Sequence, residues 1–318
     1  MVLDFFRFDY NSLMLNIDEC SIELPVVDAH VHVFPARRLA GLLRWVHGFL
    51  PWHPAPLDMT GDDVVADISN FGSKYFFNLV YPINPLETED LNRFNSEFCS
   101  RFPNAIGWGS LHPENDDISS IARSVVEELG LIGLKLHPFV QKFSILDPAI
   151  RPAYETLADM RRPLFLHTGF DEFYEIKMPT EHIRTIAGDY PEMPIVLSHM
   201  IFPRLDDAFE LMEEYPQIVG DMTNIPGSIR IIASDFGSGG IAESAAANLL
   251  RKELPRFSDR IIFGSDHPAG IGGVDGIYSD LAAIKLQPEI VRAATWTNPL
   301  KLAEKYLPGR WRPQIQPQ

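Results

Sequence analysis

Two histidines one residue apart, His30 and His32, end the run Pro25-Val26-Val27-Asp28-Ala29-His30-Val31-His32. On an extended strand alternate residues share a face, so Asp28, His30 and His32 are expected to project together while Ala29 and Val31 face away. Two imidazoles held side by side on a rigid strand are half of a metal site. A strand with two incidental inward histidines is the plain alternative. Later apolar runs also end in chemistry-bearing residues: His112, His137, His167, His199 and Asp266. Imidazole and carboxylate without cysteine suit Zn²⁺, with Mn²⁺ or Fe²⁺ as alternatives. His30, His32, His167 and Asp266 would supply three nitrogens and an oxygen, leaving room for water and substrate. Such an ion lowers the pKa of bound water toward ~7. Asp266 can also take up that water's proton, and Asp28 is expected to orient the two histidines from behind.

A scaffold must bring these distant residues together. The apolar runs 25–32, 74–80, 105–111, 131–137, 163–167, 194–199, 218–221 and 260–266 read as strands. Between them, helices are expected over 36–50, 60–71 with Thr60 as N-cap, 87–101, 117–129, 148–160, 180–189, 204–215 and 241–253. The last of these follows an irregular Gly/Ser-rich piece. Further helices are expected over 275–286, 288–296 and 298–306. Short, nearly continuous apolar strands alternating with helices indicate parallel strands buried on both faces. Eight such units make a (β/α)8 TIM barrel, in which all strand carboxyl ends, and so the polar residues, share one mouth. A doubly wound open sheet is the competing architecture, but no Gly-rich first turn supports it. Residues 1–24 read as an N-terminal extension packed on the barrel, and 25–318 as one barrel domain.

The 318 residues are 46% hydrophobic and 22% charged, the balance of a globular chain with ample core. Acidic residues outnumber basic ones 43 to 27, and no Lys/Arg cluster offsets the formal charge of −16, which argues against nucleic-acid or anionic-membrane partners. No run approaches the ~20 apolar residues of a membrane span. Asp4, Arg7 and Asp9 interrupt any signal-peptide core, and Cys20 and Cys99 form no CxxC, so a reducing cytoplasm is expected. The expected partner is a small-molecule substrate, with a homodimer left open.

The segments D-A-H-V-H, G-L-K-L-H-P, L-H-T-G, L-S-H-M and F-G-S-D-H-P together resemble the amidohydrolase superfamily. Within it the chain is most similar to the amidohydrolase-related branch, which includes aminocarboxymuconate-semialdehyde decarboxylase, related aromatic decarboxylases, lactonases and other hydrolases. The likeness spans 25–307. It implies the same barrel and a divalent metal, usually zinc. It also implies His30 and His32 as first-strand ligands, His167 and Asp266 as fifth- and eighth-strand ligands, and His199 as the acid/base. In binuclear members a fourth-strand lysine is carboxylated and bridges two ions. Lys135 matches that position, so two ions are implied if it is carboxylated. Unmodified, as the mostly mononuclear branch suggests, Lys135 would bind a substrate carboxylate, polarise the site, or pair with an acid inside the barrel.

Other residues divide between chemistry and structure. His137 and His112 either bind substrate or hydrogen-bond in the mouth. Trp52, with Trp45 and His53, either lines the pocket or packs a lid. His267 is a supporting or turn residue, and Phe170, Asp171 and Tyr174, just past His167, are candidates for shaping substrate choice that spacing alone does not establish. His47 and His182 are expected at the surface. The first functional reading is a hydrolase in which metal-activated water attacks an ester, lactone or amide carbonyl. The alternative is a non-oxidative decarboxylase of an aromatic or unsaturated acid on the same ligands, with Lys135 or Arg204 holding the carboxylate. A barrel that has kept its fold and lost its chemistry is the third.

Overall fold

The computed structural model describes residues 22–235 and 240–307. The expected extension over 1–24, apart from 22–24, lies outside the described residues, as do Cys20 and the end of the expected barrel domain beyond 307.

Eight strands follow one another: β1 (Val26–Val31), β2 (Ser73–Leu79), β3 (Ala105–Trp108), β4 (Leu134–Leu136), β5 (Leu164–His167), β6 (Ile195–Ser198), β7 (Ile218–Asp221) and β8 (Ile261–Ile262). They pair in parallel, in sequence order, as β1-β2-β3 and β4-β5-β6-β7-β8. Parallel bridges Gly109↔Leu134 and Val31↔His267 join the two sets and close the ring. This is the TIM barrel that the alternating pattern demands.

The helices between strands are α1 (Ala36–Phe49), α2 (Gly61–Phe71), α3 (Thr88–Arg101), α4 (Ile118–Glu127), a single turn α5 (Pro138–Gln141) and α6 (Arg151–Asp159). Then come a second single turn α7 (Asp171–Tyr174), α8 (Thr180–Asp189), α9 (Leu205–Glu214), α10 (Ile225–Asp235) and α11 (Ala245–Glu253). After β8 lie α12 (Val274–Ala283), α13 (Pro288–Arg292) and α14 (Asn298–Tyr306). Local chemistry sets several boundaries. Thr60 caps α2 by accepting from the Asp63 amide while Asp63 accepts from the Thr60 amide, and Gly72 ends that helix at φ 109°. Asp117 and Ser244 cap α4 and α11 by accepting from the Ser120 and Ala247 amides. No described helix is long and apolar enough to cross a membrane.

Val27, Phe77, Trp108, Phe165 and Val196 fill the barrel, and Leu300, Ala303 and Tyr306 of α14 pack against them as its floor. A second apolar layer lies between strands and helices. In β1 the alternation breaks. Val27 and Ala29 pack inside and Val31 in the outer layer, and the pairing register shifts between Asp28 and Val31. Asp28 therefore does not share a face with His30 and His32. Its Oδ1 accepts from the backbone amides of His30 (3.3 Å) and Ser265 (2.8 Å), so it ties β1 to the end of β8 instead of orienting an imidazole.

Two further expectations change. The irregular Gly/Ser-rich piece opens as the helix α10, whose apolar residues supply part of the cavity wall. β8 ends at Ile262 instead of Asp266, because side chains take over its ladder: Gly264 N donates to Thr223 Oγ1 and Ser265 N to Asp28.

Candidate active site

The ends of β1 and β8 build the centre. Asp266 N donates to His30 O (2.7 Å) and His32 N to His267 O (2.8 Å), so the two backbones hold each other in register. One ligand atom from each of His30, His32 and Asp266 lies within 4.8 Å of the others, and all three residues are buried. Asp266 Oδ1 stands 3.0 Å from His32 Nε2 and 3.5 Å from His30 Nε2.

The far side of each ring decides what its near side can do. His30 Nδ1 lies 2.7 Å from Asp221 Oδ2, and His32 Nδ1 lies 2.6 Å from the Leu79 carbonyl. A carbonyl or carboxylate oxygen only accepts, so both Nδ1 atoms carry the proton and both Nε2 atoms of the neutral rings present lone pairs. Asn224 Nδ2 donates to Asp266 Oδ2 at 2.5 Å. His30 Nε2 and Asp266 Oδ1 are buried acceptors with no hydrogen-bond donor, and His167 Nε2 is buried with no hydrogen-bond partner. Stranded acceptors of this kind are costly, and a cation shared by His30 and Asp266 would satisfy both. The donor set, nitrogen with carboxylate oxygen, fits a divalent metal.

The structure sets the remaining histidines around this group. His199 stacks on His30 (ring centroids 5.3 Å) and meets His167 edge-on at 4.7 Å. Its Nδ1 is 2.8 Å from the Thr223 carbonyl, and a left-handed run at His199, Met200 and Ile201 turns the ring over the mouth. Burial pulls its pKa down. His167 stands outside the three-residue group and stacks on His137 at 3.6 Å. His137 Nε2 lies 3.4 Å from Tyr174 Oη.

Lys135 is fully buried beneath the mouth. Its Nζ donates to Ser198 Oγ (2.8 Å) and sits 4.8 Å from the Phe165 ring centroid, and burial lowers its pKa to about 7 despite Asp221 and Asp266. It is not among the residues that line the cavity.

A cavity of about 490 Å³ opens above the cluster, with His32, His137, His167, His199 and Asp266 at its base. Three sequence candidates lie elsewhere. His112 is a turn residue whose Nδ1 accepts from the Glu114 amide (3.3 Å). Trp52 packs on the core outside the wall, which Trp45 lines instead. Arg204 donates to Asp171 and Asp207 and to the Met178 carbonyl, away from the cavity. His47 and His182 are half-buried, and His47 Nε2 bonds the Ala55 carbonyl.

The amidohydrolase family model matches residues 27–302, most of the chain. The chain belongs to the amidohydrolase family. It is thus an enzyme of a metal-dependent superfamily, and the His-His-Asp cluster stands where the barrel's strand ends converge. No curated protein sequence matches it significantly. Solved structures share the fold at low identity. An uncharacterized TIM-barrel protein from Bordetella bronchiseptica is 16% identical with a TM-score of 0.65, over 88% of this chain and 99% of that one. A 5-carboxyvanillate decarboxylase from Novosphingobium aromaticivorans, with bound manganese and 3-methoxy-4-hydroxy-5-nitrobenzoic acid, is 14% identical (TM-score 0.59; 89% and 97% covered). A Pseudomonas putida protein assigned as a 2-pyrone-4,6-dicarboxylic acid hydrolase is 15% identical (TM-score 0.59; 89% and 98% covered).

Sequence reasoning missed several residues of this amidohydrolase. Asp221 ends β7 as the histidines end their strands, and that rule applied to every strand would have found it. Asn224, Tyr81, whose ring meets His32 and His137, and Trp45 on the cavity wall carry no such signal, because loops and helices bring them in.

Proposed function

We propose that the protein is a hydrolase that cleaves an ester, lactone or amide with His30, His32, His167 and Asp266 holding one divalent ion. When bound, such an ion polarises a carbonyl and acidifies water to near neutrality. His30 and His32 are prepared for it because Asp221 and the Leu79 carbonyl fix their tautomers. Asn224 steadies the Asp266 carboxylate, leaving Oδ1 free for the centre.

The observation that carries the reading is the hydrogen bond between His199 Nδ1 and the Thr223 carbonyl. It commits the Nδ1 proton to the backbone, and burial keeps the ring uncharged, so Nε2 acts first as a proton acceptor. His199 Nε2 takes a proton from the attacking water and returns it to the departing oxygen or nitrogen. A decarboxylase instead begins with a proton donor for carbon and benefits from a cation for the carboxylate. Lys135 and Arg204, the two cations considered for that task, are engaged elsewhere. The relatives named for carboxylated compounds are therefore guides to fold rather than to substrate.

The test is a product assay. Protein reconstituted with Zn²⁺ or Mn²⁺ is given a panel of esters, lactones and amides beside a panel of aromatic acids. Hydrolysis that disappears on chelation and returns with metal is expected. Release of CO₂ from the acids without cleavage of any carbonyl substrate would overturn the proposal.

A further inference from the structure

We infer that the part of the substrate lying beyond the reacting group is uncharged and apolar, an aryl or branched alkyl arm, and that the site selects against a carboxylate on that arm. This deepens the hydrolase reading and rests on it for the identity of the reacting group.

The cavity has two apolar walls. On one side Trp45 packs edge-on against Phe49 (4.8 Å) and Phe173 (5.7 Å) and stacks on Tyr174 (6.3 Å), a continuous aromatic shelf joining α1 to α7. On the other, Ile231 and Ile232 of α10 face the cavity with Phe202. Flat rings and branched aliphatics gain by contact with an apolar arm and offer nothing to an ion. A volume of about 490 Å³ is in the range of pockets that enclose small organic ligands.

The charges point the same way. Among the described lining residues there is no lysine or arginine, and apart from Asp266 the one acid is Glu172, exposed at the rim. Four arginines lie next to, or touch, wall residues: Arg44 beside Trp45 is exposed on α1, and the other three are held by acids. Arg38 donates to the Tyr81 carbonyl and pairs with Glu87. Arg204 pairs with Asp171, and Arg230 grips Asp280 through both carboxylate oxygens (2.8 and 2.9 Å). With these three guanidiniums committed and no cation on the described wall, an anionic arm would enter unpaired among rings, at a heavy desolvation cost.

Equilibrium binding tests this apart from turnover. Calorimetry on metal-loaded protein compares three matched, uncleavable ligands: 4-phenyl-2-butanone, its para-carboxylate and its para-trimethylammonium derivative. The neutral ketone is expected to bind at least about tenfold more tightly than either ion. Ile232→Lys, a rim position away from the histidine cluster, should bring the carboxylate's affinity up to or past that of the ketone. Equal or tighter binding of the carboxylate to the unaltered protein overturns the inference. So does tightest binding of the ammonium ligand, which would assign Glu172 a cation-selecting role. Because no bond is cleaved, a failed hydrolase assay would leave this ranking intact, and a reversed ranking would leave the hydrolase assay intact.

Discussion

His30 Nδ1 and Asp221 Oδ2 lie 2.7 Å apart although 191 positions separate them in the chain. Both are buried, at 1% and 0% exposure, so the bond is shielded from competing water. Asp221 Oδ1 is meanwhile saturated by the Thr223 amide (3.0 Å) and hydroxyl (2.6 Å), which leaves Oδ2 for His30 alone. Burial raises the Asp221 pKa to about 6, and His199 and Thr223 restrain the rise.

Asp221→Asn should weaken metal binding by about 10–100-fold. The amide oxygen can replace Oδ1 toward Thr223, but its NH₂ then confronts the His30 Nδ1 proton, donor against donor. The ring must turn or shift its proton to the wrong nitrogen. Competition with a chromophoric chelator measures the loss, with circular dichroism checking the fold. Unchanged affinity would remove Asp221 from the proposed centre.

His199→Asn should lower turnover by about 100- to 10,000-fold while one ion per chain remains. Metal analysis beside kinetics separates this from the two-ion arrangement. A halved metal content would mean that His199 is a ligand and that Lys135 is carboxylated.

Gly264→Ala should destabilise the fold by about 1–3 kcal/mol or more and impair metal binding together. A Cβ at this position would lie 2.3 Å from His30 N and 2.7 Å from Asp28 Oδ1, backbone and a buried carboxylate that have no room to yield. Thermal denaturation and metal content should both fall. A variant with normal values would show that β1 and β8 can separate at no cost.

His53 predicts a pH dependence. Its Nε2 bonds the Gly270 carbonyl (3.0 Å) and its Nδ1 accepts from the Ala55 amide (3.2 Å), joining the loop after α1 to the loop after β8. Burial lowers its pKa from 6.5 to about 4. Between those values the unfolded chain binds the proton and the folded chain does not, so stability is present above pH 6.5 and lost as the pH falls toward 4. The loss attributable to this group approaches about 3 kcal/mol. Urea denaturation of wild type and His53→Asn across pH 7 to 4.5 should give a shallower slope for the variant, and parallel slopes would count against the assignment.

The barrel and the outline of the centre are legible in the order and type of residues along the chain. Strands buried on both faces must be apolar along their length, and in a closed parallel barrel their polar endings have one mouth to share. His30, His32, His167, His199 and Asp266 were legible for that reason. Tertiary structure decided which atoms are usable. The register shift in β1 turned Asp28 away from the imidazoles, and Asp221 and the Leu79 and Thr223 carbonyls chose the proton-bearing nitrogen of each ring. It also decided that Lys135 lies under the mouth, that Trp45 and not Trp52 faces the cavity, and that the nearby arginines point elsewhere. Those outcomes depend on contacts between segments far apart in the chain and on side-chain direction within loops, which residue spacing along one segment does not encode.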